Sequence, residues 1–313
     1  MSLEDPRRHT TAARTPLPAR IRLSASTGWA ELTADDLTET GVVLSTGPSP
    51  EQMAEQSHVE RGDPSWLLHD YTHRISAVLR AAAPRLWGDV RPVSDAQAGI
   101  ANDDDGDSDT LGDGGSTAGP RSVLHLGAGA LTLPRWIEER WPQASQTVLD
   151  IEPDLVGFVL EHLPMRTTPE SVVADAAEAL SPGGVMSGRD FEAVIVDLFN
   201  SPEAPEQLTS PEFFSAVLQG VAPQGLLLVN LGDDAGMAFA RRVIHTLLEL
   251  VPQASCALLT APDPVLAGEE EGNLVFACTP SSPFSQPELQ LIWAAGPHPG
   301  DVLIGPGLED WAR

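Results

Sequence analysis

The sequence predicts an α/β protein: a doubly wound, mostly parallel sheet with an antiparallel hairpin at its edge, preceded by a small β-hairpin region. Three observations carry that expectation. From residue 121 onward, short apolar runs alternate with helix-spaced patterns. Several runs are continuously apolar, such as Ala193-Val194-Ile195-Val196 and Leu226-Leu227-Leu228-Val229, as strands covered on both faces are. Glycine or aspartate closes one run after another, at Gly127, Asp150, Asp175 and Asp197.

In the first part of the chain, residues 21–23, 28–32 and 41–45 read as short strands divided by Gly, Thr and Pro. Asp63-Pro64 reads as a helix start, with Asp as N-cap and Pro in the first turn. Leu67, Leu68, Tyr71, Ile75, Val78 and Leu79 then recur at helical spacing, and Pro84 marks the end. Residues 102–119 hold Asp103, Asp104, Asp105, Asp107, Asp109 and Asp113 among glycines. Such a stretch buries too little to offset its ordering entropy, which predicts a disordered linker. The chain is accordingly divided at 1–92, 93–120, 121–280 and 281–313.

Beyond the linker, strands are expected over 122–126, 147–151, 171–174, 193–197, 226–231, 255–260 and 274–279. Helices are expected over 131–141, 153–162, 176–180, 211–221 and 235–250. The last two strands are joined by 261–272 without a helix, which predicts the antiparallel hairpin. Repeated β-α units closed by such a hairpin follow the order of a Rossmann-like, class I methyltransferase-type sheet rather than a NAD-binding one. The Pro/Gly-rich tail, 281–313, offers no assignable pattern.

Composition excludes several activities. Acidic residues number 45 against 18 basic ones in 313, for a formal charge of −27. All the basic residues are arginine, so P-loop, Schiff-base and kinase chemistry, which need lysine, drop out. Nucleic acid is not an expected partner, because phosphate binding needs clustered positive charge. Two cysteines exclude a disulfide framework. No apolar stretch reaches the roughly 18 residues that span a bilayer, and the N-terminus has no apolar signal core. A cytoplasmic protein without membrane attachment is therefore expected. The acidity suits a small cationic partner, and equally a solvated acidic surface.

Leu126-Gly127-Ala128-Gly129-Ala130 is a glycine-rich turn between strand and helix, which lets backbone approach a ligand closely. The third glycine of a dinucleotide fingerprint is absent, since Thr132 occupies its place. A tight β-α turn would look the same. Asp150 follows about twenty residues on, where a carboxylate can accept both ribose hydroxyls. Asp175 is placed to accept an exocyclic amine of a base, and Asp197 closes the fourth strand. Any one of them alone could be a loop-capping aspartate. Together, at successive parallel strand ends, they suit a nucleoside without a phosphate, such as S-adenosylmethionine. His69-Asp70-Tyr71-Thr72-His73 nearly matches a zinc-protease helix, but a third ligand is missing and no metal is predicted. His58, His125, Cys256, Cys278 and the run Glu269-Glu270-Glu271 read as structural or solvated.

These segments resemble the spermidine synthase (polyamine aminopropyltransferase) family. The resemblance rests on Gln56-Ser57-His58-Val59, Val123-Leu124-His125-Leu126-Gly127-Ala128-Gly129, Val148-Leu149-Asp150-Ile151-Glu152, Ala174-Asp175-Ala176 and Val194-Ile195-Val196-Asp197-Leu198-Phe199-Asn200. It implies aminopropyl transfer from decarboxylated S-adenosylmethionine to a small cationic amine, without a metal, in a homo-oligomer such as a dimer. By position it implies Asp197 as catalytic carboxylate. Gly127, Gly129 and Ile151 would bind the cofactor, with Asp150 at the ribose, Asp175 and Ala176 at the adenine, and Gln56 and His69 on the thioether side. Asp70 and Asn200 would face the amine. Three positions depart from the family pattern: Ala130 replaces an acid at the cofactor's cationic end, Leu68 replaces an active-site tyrosine, and Asn200 replaces a second aspartate. Those departures leave two alternatives: a methyltransferase using intact S-adenosylmethionine, and a non-catalytic nucleoside-binding protein of the same fold.

Overall fold

The computed structural model describes residues 16–88, 118–199 and 204–313. The linker stretch 93–117 and Asn200 lie outside the described residues.

The chain opens with a four-stranded antiparallel meander: β1 (Ala19–Arg22), β2 (Trp29–Ala34), β3 (Gly41–Ser49) and β4 (Gln52–Glu60). The first three match the expected runs. β4 was not legible as a strand, because most of its residues are polar and its burial does not alternate. Helix α1 (Asp70–Trp87) begins six residues later than the Asp63-Pro64 signal predicted. Asp63 instead organises a turn, with Oδ1 accepting from the Ser65 amide at 3.0 Å and the Ser65 hydroxyl at 2.6 Å. Pro84 does not end the helix but lies inside it.

The main sheet alternates strand and helix through β5 (Ser122–Leu126), α2 (Thr132–Arg140), β6 (Ser145–Asp150), α3 (Leu155–His162), β7 (Glu170–Val173), α4 (Ala176–Leu180), β8 (Phe191–Phe199), α5 (Pro211–Gln219), β9 (Val221–Asp233) and α6 (Ala238–Leu250). Then come β10 (Ala257–Pro262), the one-turn α7 (Asp263–Leu266) and β11 (Gly272–Cys278). The sheet order is β12-β10-β11-β9-β8-β5-β6-β7. Strands β5 to β9 run parallel, and β10 to β12 pair antiparallel. The expected hairpin is present, but it is not the edge and its connection is not helix-free. The tail supplies α8 (Gln286–Ala295), the edge strand β12 (Gly300–Ile304) and α9 (Gly305–Trp311). β12 is short and pairs only with β10, so no long local apolar pattern announces it.

Each face of the sheet is covered. Ala193, Ile195, Leu226 and Leu228 pack with α1, α2 and α8, whereas Val194, Val196, Leu227 and Val229 pack with α5 and α6. The N-terminal sheet shares a further core with α3 and the glycine turn, through Leu32, Leu44, Val59, Ala130, Leu131 and Phe158. A buried carboxylate reinforces that junction. Glu152, after β6, accepts from the backbone N–H of Ala25 at 3.0 Å and of Ser26 at 2.7 Å. Arg74, buried on α1, ties the other flank: it pairs with Asp70 and donates to Thr260 Oγ1 on β10 at 2.9 Å and to the Pro297 carbonyl at 2.8 Å.

Glu152→Ala leaves two turn amides without their charged acceptor, so a loss of about 2 kcal/mol is expected. Urea unfolding checks it: the midpoint should fall, with the slope unchanged.

Candidate active site

Strand register builds the site. Val196, Leu126 and Leu149 are neighbours across β8, β5 and β6, and Val196 also pairs with Val229 on β9. One residue further, Asn230, Asp197, Gly127 and Asp150 form a row at the carboxyl end of the parallel strands. Strand spacing puts the Asp197 and Asp150 backbones roughly 10 Å apart. That end of an open α/β sheet is where ligands bind.

Gly127 holds the row close. Its φ is +98°, and a Cβ there would collide with the Asp197 carbonyl oxygen. Gly129, at φ +47°, approaches the Ser57 hydroxyl of β4 as closely. The Ser57 hydroxyl accepts from the Ala130 amide at 3.2 Å. The glycine turn is thus shaped by its own chain on both sides. Ala130 is fully buried.

The half-buried Asp197 has two donors. Tyr71 Oη on α1 donates to Oδ2 at 3.2 Å, and Asn230 Nδ2 donates to Oδ1 at 2.8 Å. Asn273 on β11 donates to Asn230 Oδ1 at 3.0 Å, which fixes the amide's orientation. Burial raises the Asp197 carboxyl above the usual range, against the lowering effect of Asn230, Tyr71 and His69. Burial and then the Asp197 charge push Tyr71 well above its ordinary value, so it stays a donor. The absence of a tyrosine at Leu68 therefore does not leave the carboxylate without one. Tyr71, three residues on, reaches it from the first turn of α1. Local spacing did not reveal this, because the partner lies 126 residues away.

Asp150 is also half-buried, and burial raises its carboxyl. Oδ2 accepts from the Ala128 amide and Oδ1 from the Glu152 amide, both at 2.8 Å. Each oxygen keeps a lone pair for a ligand hydroxyl. Ile151 beside it is half exposed, an apolar surface next to the row. Asp175 caps α4, with Oδ1 accepting from the Ala177 and Glu178 amides at 2.9 and 3.1 Å. Its Oδ2 accepts from Gln207 Nε2 at 3.3 Å. Ala176 is the buried first residue of that helix.

Gln56 occupies a bulge. Ser57 pairs with Leu44 and Glu55 with Ser45, so β4 carries one residue more than β3 there. Bulges re-aim side chains next to functional sites. His69 stacks on Tyr71 with ring centroids 6.0 Å apart and lies 3.6 Å from Glu55 Oε1. Burial lowers its pKa, offset in part by the Glu55 charge. Asp70 is engaged by Arg74, which donates to Oδ1 at 2.5 Å and to Oδ2 at 3.1 Å. No group of three or more potential metal ligands occurs among the described residues. His125 bonds Gln146 at 2.9 Å, and His58 pairs with Asp35 at 3.1 Å. Both are buried, as expected of structural histidines. Two hollows of about 600 and 480 Å³ lie around Arg189 at the opposite end of the strands and include none of these carboxylates.

Comparison with known proteins agrees with this architecture. No protein-family model matches the chain. A polyamine aminopropyltransferase of Chromobacterium violaceum is 25% identical over 131 residues, 40% of this chain and 49% of that protein. One from Neisseria meningitidis is 24% identical over 172 residues, 53% of this chain and 59% of the relative. The chain thus spans about half the length of the curated relatives it matches. The crystal structure of a probable spermidine synthase from Corynebacterium glutamicum superposes with a TM-score of 0.72 at 22% identity, covering 96% of this chain and 95% of the other. A spermidine synthase in complex with the transition-state analogue AdoDATO superposes at 0.53 with 12% identity, covering 88% and 78%. The fold is that of the class I methyltransferase-type α/β proteins, with a β sheet added in front. Within that class, the chain is similar in sequence, at 24–25% identity over about half its length, to polyamine aminopropyltransferases.

Asp197 binds its proton more tightly folded than unfolded, so its burial costs stability as pH rises through the raised pKa. Tyr71→Phe removes a donor to the ionised form, so half-protonation of Asp197 should move to higher pH. Difference infrared titration of the carboxyl band, with Asp197→Asn as the blank, measures this.

Proposed function

We propose that the chain transfers an aminopropyl group from decarboxylated S-adenosylmethionine to a small amine. One observation carries the reading: an ionisable, doubly hydrogen-bonded carboxylate at Asp197 stands level with a second, Asp150, across a glycine turn. Asp150 suits the ribose hydroxyls, with Ile151 offering an apolar surface alongside. Asp175 keeps lone pairs for an exocyclic amine beside Gln207. Gln56 and His69 close the thioether side. Asn200 remains assigned to the amine by resemblance.

The chemistry asks little of the protein. The carbon beside a sulfonium is already electrophilic. The amine nitrogen attacks it, the C–S bond breaks, and methylthioadenosine leaves as a neutral thioether. The attacking nitrogen sheds a proton, and Asp197 is placed to orient the nitrogen and take that proton. In-line positioning supplies much of the remaining acceleration. The Asp70–Arg74 pair makes Asp70 a positioning group for α1, and a weaker amine ligand than its place in the sequence implied.

A methyltransferase reading is favoured by one feature, the buried Ala130 in place of an acid that would repel the carboxylate of intact S-adenosylmethionine. Incubation with each nucleoside and a panel of di- and monoamines separates the two. Aminopropyl transfer yields methylthioadenosine, and methyl transfer yields S-adenosylhomocysteine.

Asp197→Asn should lower aminopropyl turnover by at least about 100-fold, the scale of general base catalysis, with nucleoside affinity within about twofold of wild type. Single-turnover chromatography and calorimetry read the two effects. Undiminished turnover removes Asp197 from its role.

A further inference from the structure

The carboxylates around the proposed crevice differ in how far their charge is already met. Asp150 and Asp175 accept backbone amides, Asp70 is paired with Arg74, Glu152 holds the β1–β2 turn, and Asp197 accepts from Tyr71 and Asn230. Glu55 stands apart from that set. Its side chain is 48% exposed, and the ionisable partner described for it is His69 Nε2 at 3.6 Å, beyond hydrogen-bond distance. Burial lowers the His69 pKa, which weakens the compensation that the imidazole can give the Glu55 charge.

The position of Glu55 gives that charge a target. It precedes the bulged Gln56 and lies two residues from Ser57, whose hydroxyl takes the Ala130 amide of the glycine turn. Two residues of strand span roughly 7 Å. His69, its partner, stacks on Tyr71, and Tyr71 bonds Asp197. Glu55 therefore stands on the N-terminal wall, across His69 and Tyr71 from Asp197, near a glycine turn whose own residue 130 has no charge to offer.

We propose that Glu55 receives the ammonium end of the co-substrate's three-carbon arm and thereby selects decarboxylated over intact S-adenosylmethionine. The inference rests on the adenosyl sulfonium reading given above. The intact nucleoside carries a carboxylate beside that ammonium, and two like charges at this distance repel. Only the decarboxylated arm presents an uncompensated cation. Selection that a carboxylate on the glycine turn would provide is thus moved to a strand of the other sheet.

Calorimetry with three probes tests this: decarboxylated S-adenosylmethionine, S-adenosylmethionine, and methylthioadenosine, which has the nucleoside but no arm. The wild-type protein should bind the decarboxylated form at least about tenfold more tightly than the intact one. Glu55→Gln should weaken the decarboxylated form about tenfold, as loss of a charge-assisted hydrogen bond does, and leave methylthioadenosine unchanged. Glu55→Asp should recover part of the difference. Unchanged affinity of Glu55→Gln for the decarboxylated form overturns the role of Glu55 alone, as does an equal loss for methylthioadenosine, which would mean a disturbed pocket. Failure of the wild-type protein to bind any of the three overturns the nucleoside reading itself. The thermal midpoint of Glu55→Gln, on a half-exposed side chain, should match the wild type.

Discussion

A single close approach governs the site: Gly127 against the carbonyl of Asp197. The turn after β5 passes so near β8 that a Cβ would collide with that oxygen, and φ of +98° excludes most other residues as well. The same turn receives the Asp150 carboxylate on the Ala128 amide. Two acids from strands that are not adjacent are thereby referenced to one piece of backbone. A side chain at 127 would push β5 away from β8 and disturb both carboxylates at once. Close backbone packing, rather than direct contact between the acids, sets their separation.

The N-terminal sheet forms part of the wall of this site rather than an attachment to it. Its contact with the main sheet is apolar at Leu32, Leu44 and Val59, and polar at the edges of that contact. Ser57 reaches the glycine turn, Glu152 reaches back to the first β-turn, and the bulge at Gln56 re-aims the strand between them. A bulge breaks the alternation that would otherwise place Glu55, Gln56 and Ser57 on predictable faces. This explains why the chain can place a polar cluster at the crevice on a strand whose other end, at Val59, contributes to the core.

Much of the main sheet was legible because burial on both faces leaves continuous apolar runs, as at Ala193–Val196. The three aspartates were legible because they stand at or within two residues of a strand's end: Asp150 closes β6, Asp175 follows β7, and Asp197 lies two residues before the end of β8. What escaped depended on distant contacts or ambiguous local chemistry. Asp63-Pro64 fits a turn as well as a helix start, and the chain uses it for a turn. Pro84 is tolerated near the C-terminal end of α1, where few backbone bonds follow it. Strand β12 has no core of its own and is defined by pairing with β10. Position-by-position comparison stopped at Leu68, before α1 begins, whereas the helix presents Tyr71 to Asp197 from its first turn.

The electrostatics of the crevice follow from which charges are met and by what. In a chain of formal charge −27 without lysine, most carboxylates cannot find a cation within the protein. Backbone amides take over that role at Asp150, Asp175 and Glu152, because partial charges on fixed N–H groups stabilise an anion without adding a mobile side chain. Arg74 is reserved for Asp70 and for anchoring the C-terminal segment. The result is a crevice whose donors orient its carboxylates but do not neutralise them. Charges that face a partly enclosed crevice are screened less than those on open surface, where the Debye length is about 8 Å at physiological salt. The field at the row of strand ends therefore favours a cation.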